Sequence, residues 1–285
     1  NEPMGDYLTD CLIENNKLVV GSFQKTLFEL ADITDFEIPD DADQKWWDTA
    51  PFDEFIKNSQ GVSYDFDTII IDEAQDFSPK WLNVLNILFN KRGPHKLFML
   101  ADPAQDLYQR GLGIPEQSAV TRIDLEINCR NTKNISNLLN DFMSASPHER
   151  SPEGGEVKLI RASRNQHVVV SLEKELERLI SKNSIDPSAV MILTGHRDLR
   201  DYIRNNLAES FACSSWENRN EESIVCETIQ RCKGLENYVI ILCTTDNKIQ
   251  DKLLYVGMSR ANSELIILGP PGLLKRINRL RNPGI

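Results

Sequence analysis

Two adjacent carboxylates, Asp72 and Glu73, directly follow an apolar run that contains Ile69, Ile70 and Ile71. Such a run is typical of a strand buried on both faces of a parallel sheet, and the ligands of these sheets bind at the carboxyl ends of the strands. A carboxylate pair at that edge can hold magnesium and orient or deprotonate a water for phosphoryl transfer. The alternative is that the pair only caps the next helix.

A second apolar run, residues 96–102, also ends in an aspartate, Asp102, and Gln105 follows it closely. A side-chain amide can donate to a phosphate oxygen while it accepts from a water, which a sensor of bound nucleotide must do. In isolation, Gln105 would be interpreted as a polar residue of a turn. Ser78 and Pro79 between the two runs predict the start of a helix.

Five strings in the chain follow one another in the order of a known set of motifs. They are Asp72–Asp76 (DEAQD), Asp102–Tyr108 (DPAQDLY), Leu125–Thr132 (LEINCRNT), Thr228–Glu236 (TIQRCKGLE) and Leu254–Ala261 (LYVGMSRA). In this order they resemble motifs II to VI of superfamily 1 helicases of the UvrD and Rep type. The resemblance covers residues 67–261.

The resemblance implies roles for residues in the first two strings. Asp72 would hold magnesium, and Glu73 would orient or deprotonate the attacking water. Gln105 would sense the terminal phosphate, and Tyr108 would lie toward the nucleic-acid strand. ATP and Mg²⁺ are the implied cofactors.

The last three strings carry the remaining implied roles. Arg130 and Arg260 would reach the terminal phosphate, with Arg260 as the arginine finger, a device that contributes about a thousandfold or more to such reactions. Gly234 and Glu236 would lie near the nucleotide, Glu236 close to its sugar, and Thr228 would lie toward the nucleic acid. The alternative for the two arginines is a surface ion pair.

The chain also departs from the family pattern. It contains no Gly-x-x-x-x-Gly-Lys-Ser/Thr loop, the element whose backbone amides and lysine hold phosphates. Residues 20–27 resemble instead the family's strand before motif II. Cys129 replaces the aromatic residue that precedes the motif IV arginine, residues 109–111 lack the tryptophan that follows motif III, and Gln230 replaces a histidine in motif V.

Alternating strand and helix patterns predict an α/β protein built on parallel sheets. The resemblance implies that these sheets belong to two RecA-like P-loop NTPase domains. We expect residues 1–118 to be the remainder of a first domain that is incomplete at its amino end, and residues 119–285 to be the second. Strands are expected near residue 18, near residues 68 and 96, and at 157–161, 189–194, 223–226, 238–244 and 264–268. Helices are expected at 134–143, 166–182, 197–209, 248–260 and 273–280.

The composition bounds the function further. The 285 residues carry a net charge of −11 with a pI near 5.0, which disfavours broad electrostatic adhesion to nucleic acid, so any DNA path must be local. Much of the acid lies in residues 29–54, which include Trp46 and Trp47. We interpret that stretch as a solvated linker whose tryptophans pack on the core, and a partner-docking or strand-mimicking patch is the alternative.

The cysteines, histidines and apolar segments exclude other classes of protein. Six cysteines occur singly, without a Cys-x-x-Cys pair, and four scattered histidines form no ligand pattern. This predicts reduced thiols and no zinc or iron-sulfur centre. No apolar stretch is long enough to cross a bilayer, so we expect a soluble, cytoplasmic protein with no membrane partner.

The residues and the resemblance together predict an ATP-dependent DNA helicase or single-strand translocase, present here as a fragment without its phosphate-binding loop. ATP hydrolysis is expected of the full-length protein, and the isolated chain is expected to be inactive. Single-stranded or partly duplex DNA, and a nuclease or a repair or defence protein, are the expected partners. The alternative is a degenerate helicase-like module that binds nucleic acid or a nuclease without ATP turnover.

Overall fold

The computed structural model of the chain describes residues 2–12, 18–39, 41–60, 62–89, 93–107, 120–140 and 146–281. It is an α/β protein whose sheets are parallel, which confirms the predicted fold class. The chain divides into two compact units, residues 1–121 and 122–285. The predicted boundary between residues 118 and 119 lies outside the described residues.

The first unit contains four helices and a two-stranded parallel sheet within its described residues. They are α1 (Glu2–Cys11), α2 (Phe23–Leu30), α3 (Gln44–Asn58), β1 (Thr68–Ile71), α4 (Pro79–Leu88) and β2 (Lys96–Met99). Strand β1 pairs with β2 from Thr68 opposite Lys96 to Ile71 opposite Met99. The predicted start of α4 is confirmed, since Ser78 accepts a hydrogen bond from the backbone N–H of Trp81 and Pro79 occupies the first turn.

The core of the first unit is aromatic, and α3 supplies much of it. Phe52 and Phe55 on α3 are fully buried, and the Phe52 ring stacks on Trp81 of α4 with 4.7 Å between centroids. The interpretation of residues 29–54 as a solvated linker is therefore wrong for α3. The acidic residues of α3 suggested a solvated segment. The helix, however, buries the face with Phe52 and Phe55 while its charged side chains face water.

The expectation that β1 is buried on both faces is also wrong. Ile71 is 5% exposed and packs in the core, whereas Ile70 is 68% exposed, and Phe98 on β2 is 52% exposed. Within the described residues, helices and aromatic side chains cover only one face of the β1–β2 pair. An apolar run does not reveal how many of its faces are covered.

The strand expected near residue 18 is absent from the described residues. Residues 18–20 are irregular, with Leu18 and Val19 about half exposed, and the chain then enters α2 at Phe23. Residues 20–27 therefore do not form the strand that the resemblance suggested. Three apolar residues without a partner strand cannot compensate the entropy of ordering them.

The second unit is built on a six-stranded parallel sheet with the order β5-β10-β9-β6-β8-β7. Its elements are β3 (Ile127–Asn128), α5 (Lys133–Leu139), β4 (Ser146–Pro147), β5 (Lys158–Arg161), α6 (Asn165–Leu176), β6 (Val190–Thr194), α7 (Arg197–Asn206), β7 (Cys213–Ser214), β8 (Ile224–Thr228), β9 (Asn237–Cys243), α8 (Asp251–Met258), β10 (Ala261–Gly269) and α9 (Pro271–Arg281). The five strands predicted for this part of the chain are all present. The two-residue strands β3, β4 and β7 were not predicted, because two residues carry no periodic signal.

The central strands of this sheet are buried along almost their whole length. All residues of β6 and β8 are buried, and so are the last five residues of β9 and of β10. Because the strands are parallel, β6, β8 and β9 end at one edge, at Thr194, Thr228 and Cys243. This is the edge at which ligands of parallel sheets bind.

None of the described helices is both long and apolar enough to span a bilayer. The six cysteines are all free thiols.

Candidate functional site

The structure places Glu73 in a backbone conformation that is rare for its residue type. Its φ and ψ angles are 53° and 40°, in the left-handed region, two residues after the end of β1. A residue other than glycine or asparagine pays for this conformation with roughly 1 kcal/mol or more of strain, and such strain clusters at functional sites. The bend carries the chain from the strand into the short turn Ala74–Asp76.

One buried glutamine, Gln75, joins the two motifs of the first unit. Its Nε2 donates to Glu73 Oε2 at 2.5 Å, and its Oε1 accepts from the backbone N–H of Asp102 at 3.0 Å. Asp102 in turn accepts from Gln105 Nε2 at 2.8 Å. Glu73, Gln75, Asp102 and Gln105 thus form one hydrogen-bonded row, here called the carboxylate-amide row, at the carboxyl ends of β1 and β2.

Gln75 lies within the string Asp72–Asp76, but the resemblance implied no role for it. Two features of the sequence could have indicated a role for Gln75: it lies two residues after Glu73, and its side chain can donate and accept hydrogen bonds at the same time. With 1% of its surface exposed, Gln75 fixes the direction of the Glu73 carboxylate. A pattern of residue types could not show that its second partner is the backbone of Asp102.

The donor set at this edge fits a nucleotide-bound magnesium ion. Asp72 is exposed, and its Oδ1 accepts from the backbone N–H of Glu73 at 2.9 Å. In the part of the chain that the structure describes, no group of three or more His, Cys, Asp or Glu residues could hold a metal. Magnesium bound with a nucleotide needs only one or two carboxylates, because phosphates and waters complete its shell.

The second unit brings Arg130 and Glu236 together, although they belong to different motifs. Arg130 Nε lies 2.6 Å from Glu236 Oε2, and both side chains are close to half exposed. Glu236 also accepts from Asn262 Nδ2 at 3.4 Å. Arg130 therefore does form a surface ion pair, which was the alternative interpretation of this residue. The partner in that pair, Glu236, is itself expected near the nucleotide.

A tight turn at the end of β8 holds the motif V residues. Thr228, which is 7% exposed, ends the strand, and its carbonyl accepts from the N–H groups of Arg231 and Cys232. Gly234 has a φ of 85°, a conformation that would strain any residue with a Cβ atom. The positive φ angle of the turn is therefore a sufficient structural reason for a glycine at position 234. It does not depend on a contact between Gly234 and a nucleotide.

Arg260 is the largest fully buried side chain of the described residues, with 1% of its surface exposed. Its Nε donates to Val256 O at 3.0 Å, its Nη1 to Leu235 O at 3.5 Å and its Nη2 to Ser259 Oγ at 2.9 Å. The guanidinium therefore ties the motif V turn to the end of α8. Its role as a finger stays a prediction.

Tyr108, expected at the nucleic acid, lies outside the described residues.

The environments of the cysteines in motifs IV and V make a chemical prediction. Burial raises the pKa of the Cys232 thiol to about 12, so at pH 8 its thiolate fraction is about a thousandfold smaller than that of an ordinary thiol. Cys129, by contrast, is exposed. We expect iodoacetamide at pH 8 to alkylate Cys129 and to leave Cys232 intact, as measured by peptide mass spectrometry, with urea-unfolded protein as the control for intrinsic reactivity. Equal labelling in the folded state would contradict the burial of the motif V turn.

A family model described as the viral superfamily 1 RNA helicase core domain matches residues 23–269. The match covers most of the chain, and the chain belongs to this family. The predicted assignment to superfamily 1 helicases is confirmed at that level. The family supports a helicase-type nucleoside triphosphatase in general, and it implies the use of a nucleotide and a metal ion. No curated protein matches the chain.

Two solved structures are similar to the chain. One is the C-terminal domain of a possible DNA helicase from Lactobacillus plantarum WCFS1, with 18% identity, a TM-score of 0.44, and coverage of 54% of this chain and 94% of that one. The other is the arterivirus nonstructural protein 10 helicase, with 14% identity, a TM-score of 0.40, and coverage of 76% of this chain and 42% of that one. The chain thus spans less than half the length of the arterivirus helicase.

Proposed function

We propose that the full-length protein is an ATP-dependent DNA helicase or single-strand translocase of the UvrD/Rep type, with Mg²⁺ as its metal. The observation that carries this proposal is the carboxylate-amide row, in which one strained glutamate is hydrogen-bonded, through one glutamine, to the motif III aspartate and its amide neighbour. General-base and sensor chemistry at a triphosphate needs these residue types at the end of neighbouring strands.

In this proposal Glu73 takes a proton from, or orients, the attacking water. Its carboxylate is suited to that role because Gln75 Nε2 fixes its direction through Oε2, and because the left-handed bend fixes the backbone beneath it. Gln105 is held by Asp102 and buried, so its amide is preorganised to respond to a phosphate. Asp72 is the ligand for magnesium, which supplies charge neutralisation at the phosphates when bound.

The second unit supplies the cations in this proposal. Arg130 contacts the terminal phosphate, and Glu236 keeps its guanidinium extended and accepts from a sugar hydroxyl with the oxygen that faces Asn262. Arg260 neutralises the charge that spreads over the transferred group, and Gly234 allows the tight turn that leads to Glu236. Phosphoryl transfer gains mostly from such positioning and charge, rather than from covalent chemistry.

The proposed track is single-stranded or partly duplex DNA, contacted near Thr228 and Tyr108. The resemblance of the motifs to the UvrD and Rep type supports DNA, whereas the description of the matching family names RNA. A nuclease, repair or defence partner is implied by the resemblance alone and stays a prediction.

The test is ATP turnover of the full-length protein with and without nucleic acid. We expect Mg²⁺-dependent hydrolysis that single-stranded DNA stimulates, because strand binding in such motors promotes the closed catalytic geometry. Single-stranded RNA of the same sequence and blunt duplex DNA are the matched comparisons, and EDTA should abolish turnover. Stimulation by RNA alone would contradict the DNA track, and absence of turnover under every condition would contradict the motor.

The alternative of a degenerate binding module is less well supported. A chain that only docks onto partners does not need Glu73, Gln75 and Gln105 to be oriented by one another. The retention of this row, together with Arg130 and Arg260, argues for turnover.

A further inference from the structure

Two buried asparagines of the second unit, Asn128 and Asn131, lie on either side of Arg130 in the chain, and Asn131 is hydrogen-bonded to the segment around Arg260. Asn131 is 4% exposed, and its Nδ2 donates to Ser259 O at 3.2 Å and to Ala261 O at 2.6 Å. These carbonyls belong to the residues immediately before and after Arg260. A single amide group therefore spans the arginine that the proposed mechanism uses as its finger.

The second asparagine, Asn128, orients the first. Its Nδ2 donates to Asn131 Oδ1 at 2.8 Å, and its Oδ1 accepts from the backbone N–H groups of Arg130 at 3.0 Å and of Asn131 at 3.2 Å. The direction of both amides follows from these partners, because two carbonyls can only face the Asn131 nitrogen. Asn128 and Asn131 are called the asparagine bridge below.

Two further carbonyls around Arg260 accept hydrogen bonds from backbone N–H groups elsewhere in the chain. The Arg260 carbonyl accepts from the N–H of Asn237 at 3.0 Å, and the Asn262 carbonyl accepts from the N–H of Thr132 at 3.1 Å. Four consecutive carbonyls, those of residues 259–262, thus have donors from other parts of the chain. Asn131 donates to two of the four, in a buried network where breaking each hydrogen bond costs free energy.

We propose that Asn131, oriented by Asn128, is a positioning residue that holds the motif IV and motif VI arginines in fixed relation, so that Arg130 and Arg260 reach one terminal phosphate together. The inference rests on the proposed function, because it assigns the bridge a task in nucleotide hydrolysis. It goes beyond that function by identifying what sets the spacing of the two cations.

The physical reason is the geometric demand of the arginine-phosphate contact. A guanidinium binds phosphate through a planar fork of N–H groups, which tolerates little displacement. A misplacement of about 1 Å at a reacting centre can lower a rate about 100-fold. In the proposed mechanism, nucleotide binding depends less on this alignment, because magnesium on Asp72 and the sugar contact of Glu236 also hold the nucleotide.

The decisive variant is Asn131→Asp in the full-length protein. Aspartate has the same shape, but it offers no N–H and sets a negative oxygen against two carbonyls. We expect kcat for ATP to fall about 100-fold with KM nearly unchanged. Asn128→Asp keeps the acceptor for the two backbone N–H groups, but it replaces the donor to Asn131 with an oxygen that faces Asn131 Oδ1. It disturbs one contact instead of two, so it should lower kcat less. This variant decides the question if Asn131→Asp does not fold.

The matched control is Ser136→Ala on α5. Ser136 is fully buried, and its hydroxyl has no hydrogen-bond partner among the residues that the structure describes, so the change should leave kcat and KM as they are. Circular dichroism melting of each variant sets an assay temperature at which all are folded.

A double-mutant cycle with Arg130→Ala separates positioning from damage to the fold. If Asn131 acts through Arg130, Asn131→Asp lowers kcat by a smaller factor in the Arg130→Ala background than in the wild type. An equal factor in both backgrounds overturns the inference, and so does an Asn131→Asp protein with wild-type kcat. A wild-type protein without any turnover overturns the proposed function together with the inference, which distinguishes the two failures.

Discussion

Replacing Glu73 by Gln is expected to lower the rate of ATP hydrolysis by about 100- to 10,000-fold, the range of general acid-base catalysis. The substituted amide has the same shape but cannot accept the proton of the attacking water. It can still offer an oxygen to Gln75 Nε2, so the bond to Gln75 and the fold around the left-handed bend should persist. Steady-state turnover measures kcat, and fluorescence titration with a labelled nucleotide measures affinity.

The matched control is Glu54→Gln, the same chemical change on α3 of the same unit. Glu54 accepts from Lys57 and Asn58 at the surface of that helix and touches no residue of the carboxylate-amide row. Its kcat should equal that of the wild type. If Glu73→Gln hydrolyses ATP as fast as the Glu54→Gln control, Glu73 is not the catalytic base and the motor proposal loses its main support.

Replacing Arg260 by Lys should give the second large effect, a fall in kcat of about a thousandfold, the lower end of the contribution of an arginine finger. Lysine keeps the charge but loses the planar fork. Because Arg260 also donates to Leu235 O, Val256 O and Ser259 Oγ, the variant should be less stable as well. Each buried acceptor left without a donor costs about 1–3 kcal/mol.

The comparison with Arg204→Lys separates stability from catalysis. Arg204 lies on α7, pairs with the buried Glu227 at 2.8 Å and also donates to the carbonyl of Cys226, so its loss should lower the melting temperature without lowering kcat. Turnover and thermal unfolding are measured on both variants. If Arg260→Lys lowers the melting temperature as Arg204→Lys does and leaves kcat intact, the buried guanidinium is a structural clamp and the finger must be another residue.

Local pattern determined much of the fold. Strands β6, β8, β9 and β10 were predictable because a strand in the interior of a parallel sheet is apolar along its length, and the start of α4 was predictable because its cap lies in the sequence beside it. Helix α3 was missed because its acidic residues dominate its composition, although Phe52 and Phe55 are core residues. The exposure of Ile70 was missed because covering a face depends on other elements.

For the candidate site, the sequence by itself determined which side chains are available and that Asp72, Glu73 and Asp102 stand at the ends of apolar runs, because motif order and apolar runs are local properties of the chain. Only the tertiary structure decided that Gln75 joins Glu73 to Asp102, that Arg130 pairs with Glu236, and that Arg260 is buried. Asn131 meets Ser259 across 128 residues of chain. A hydrogen bond over that separation requires a direction and a distance, and these arise only when the strands and turns that carry both residues have packed.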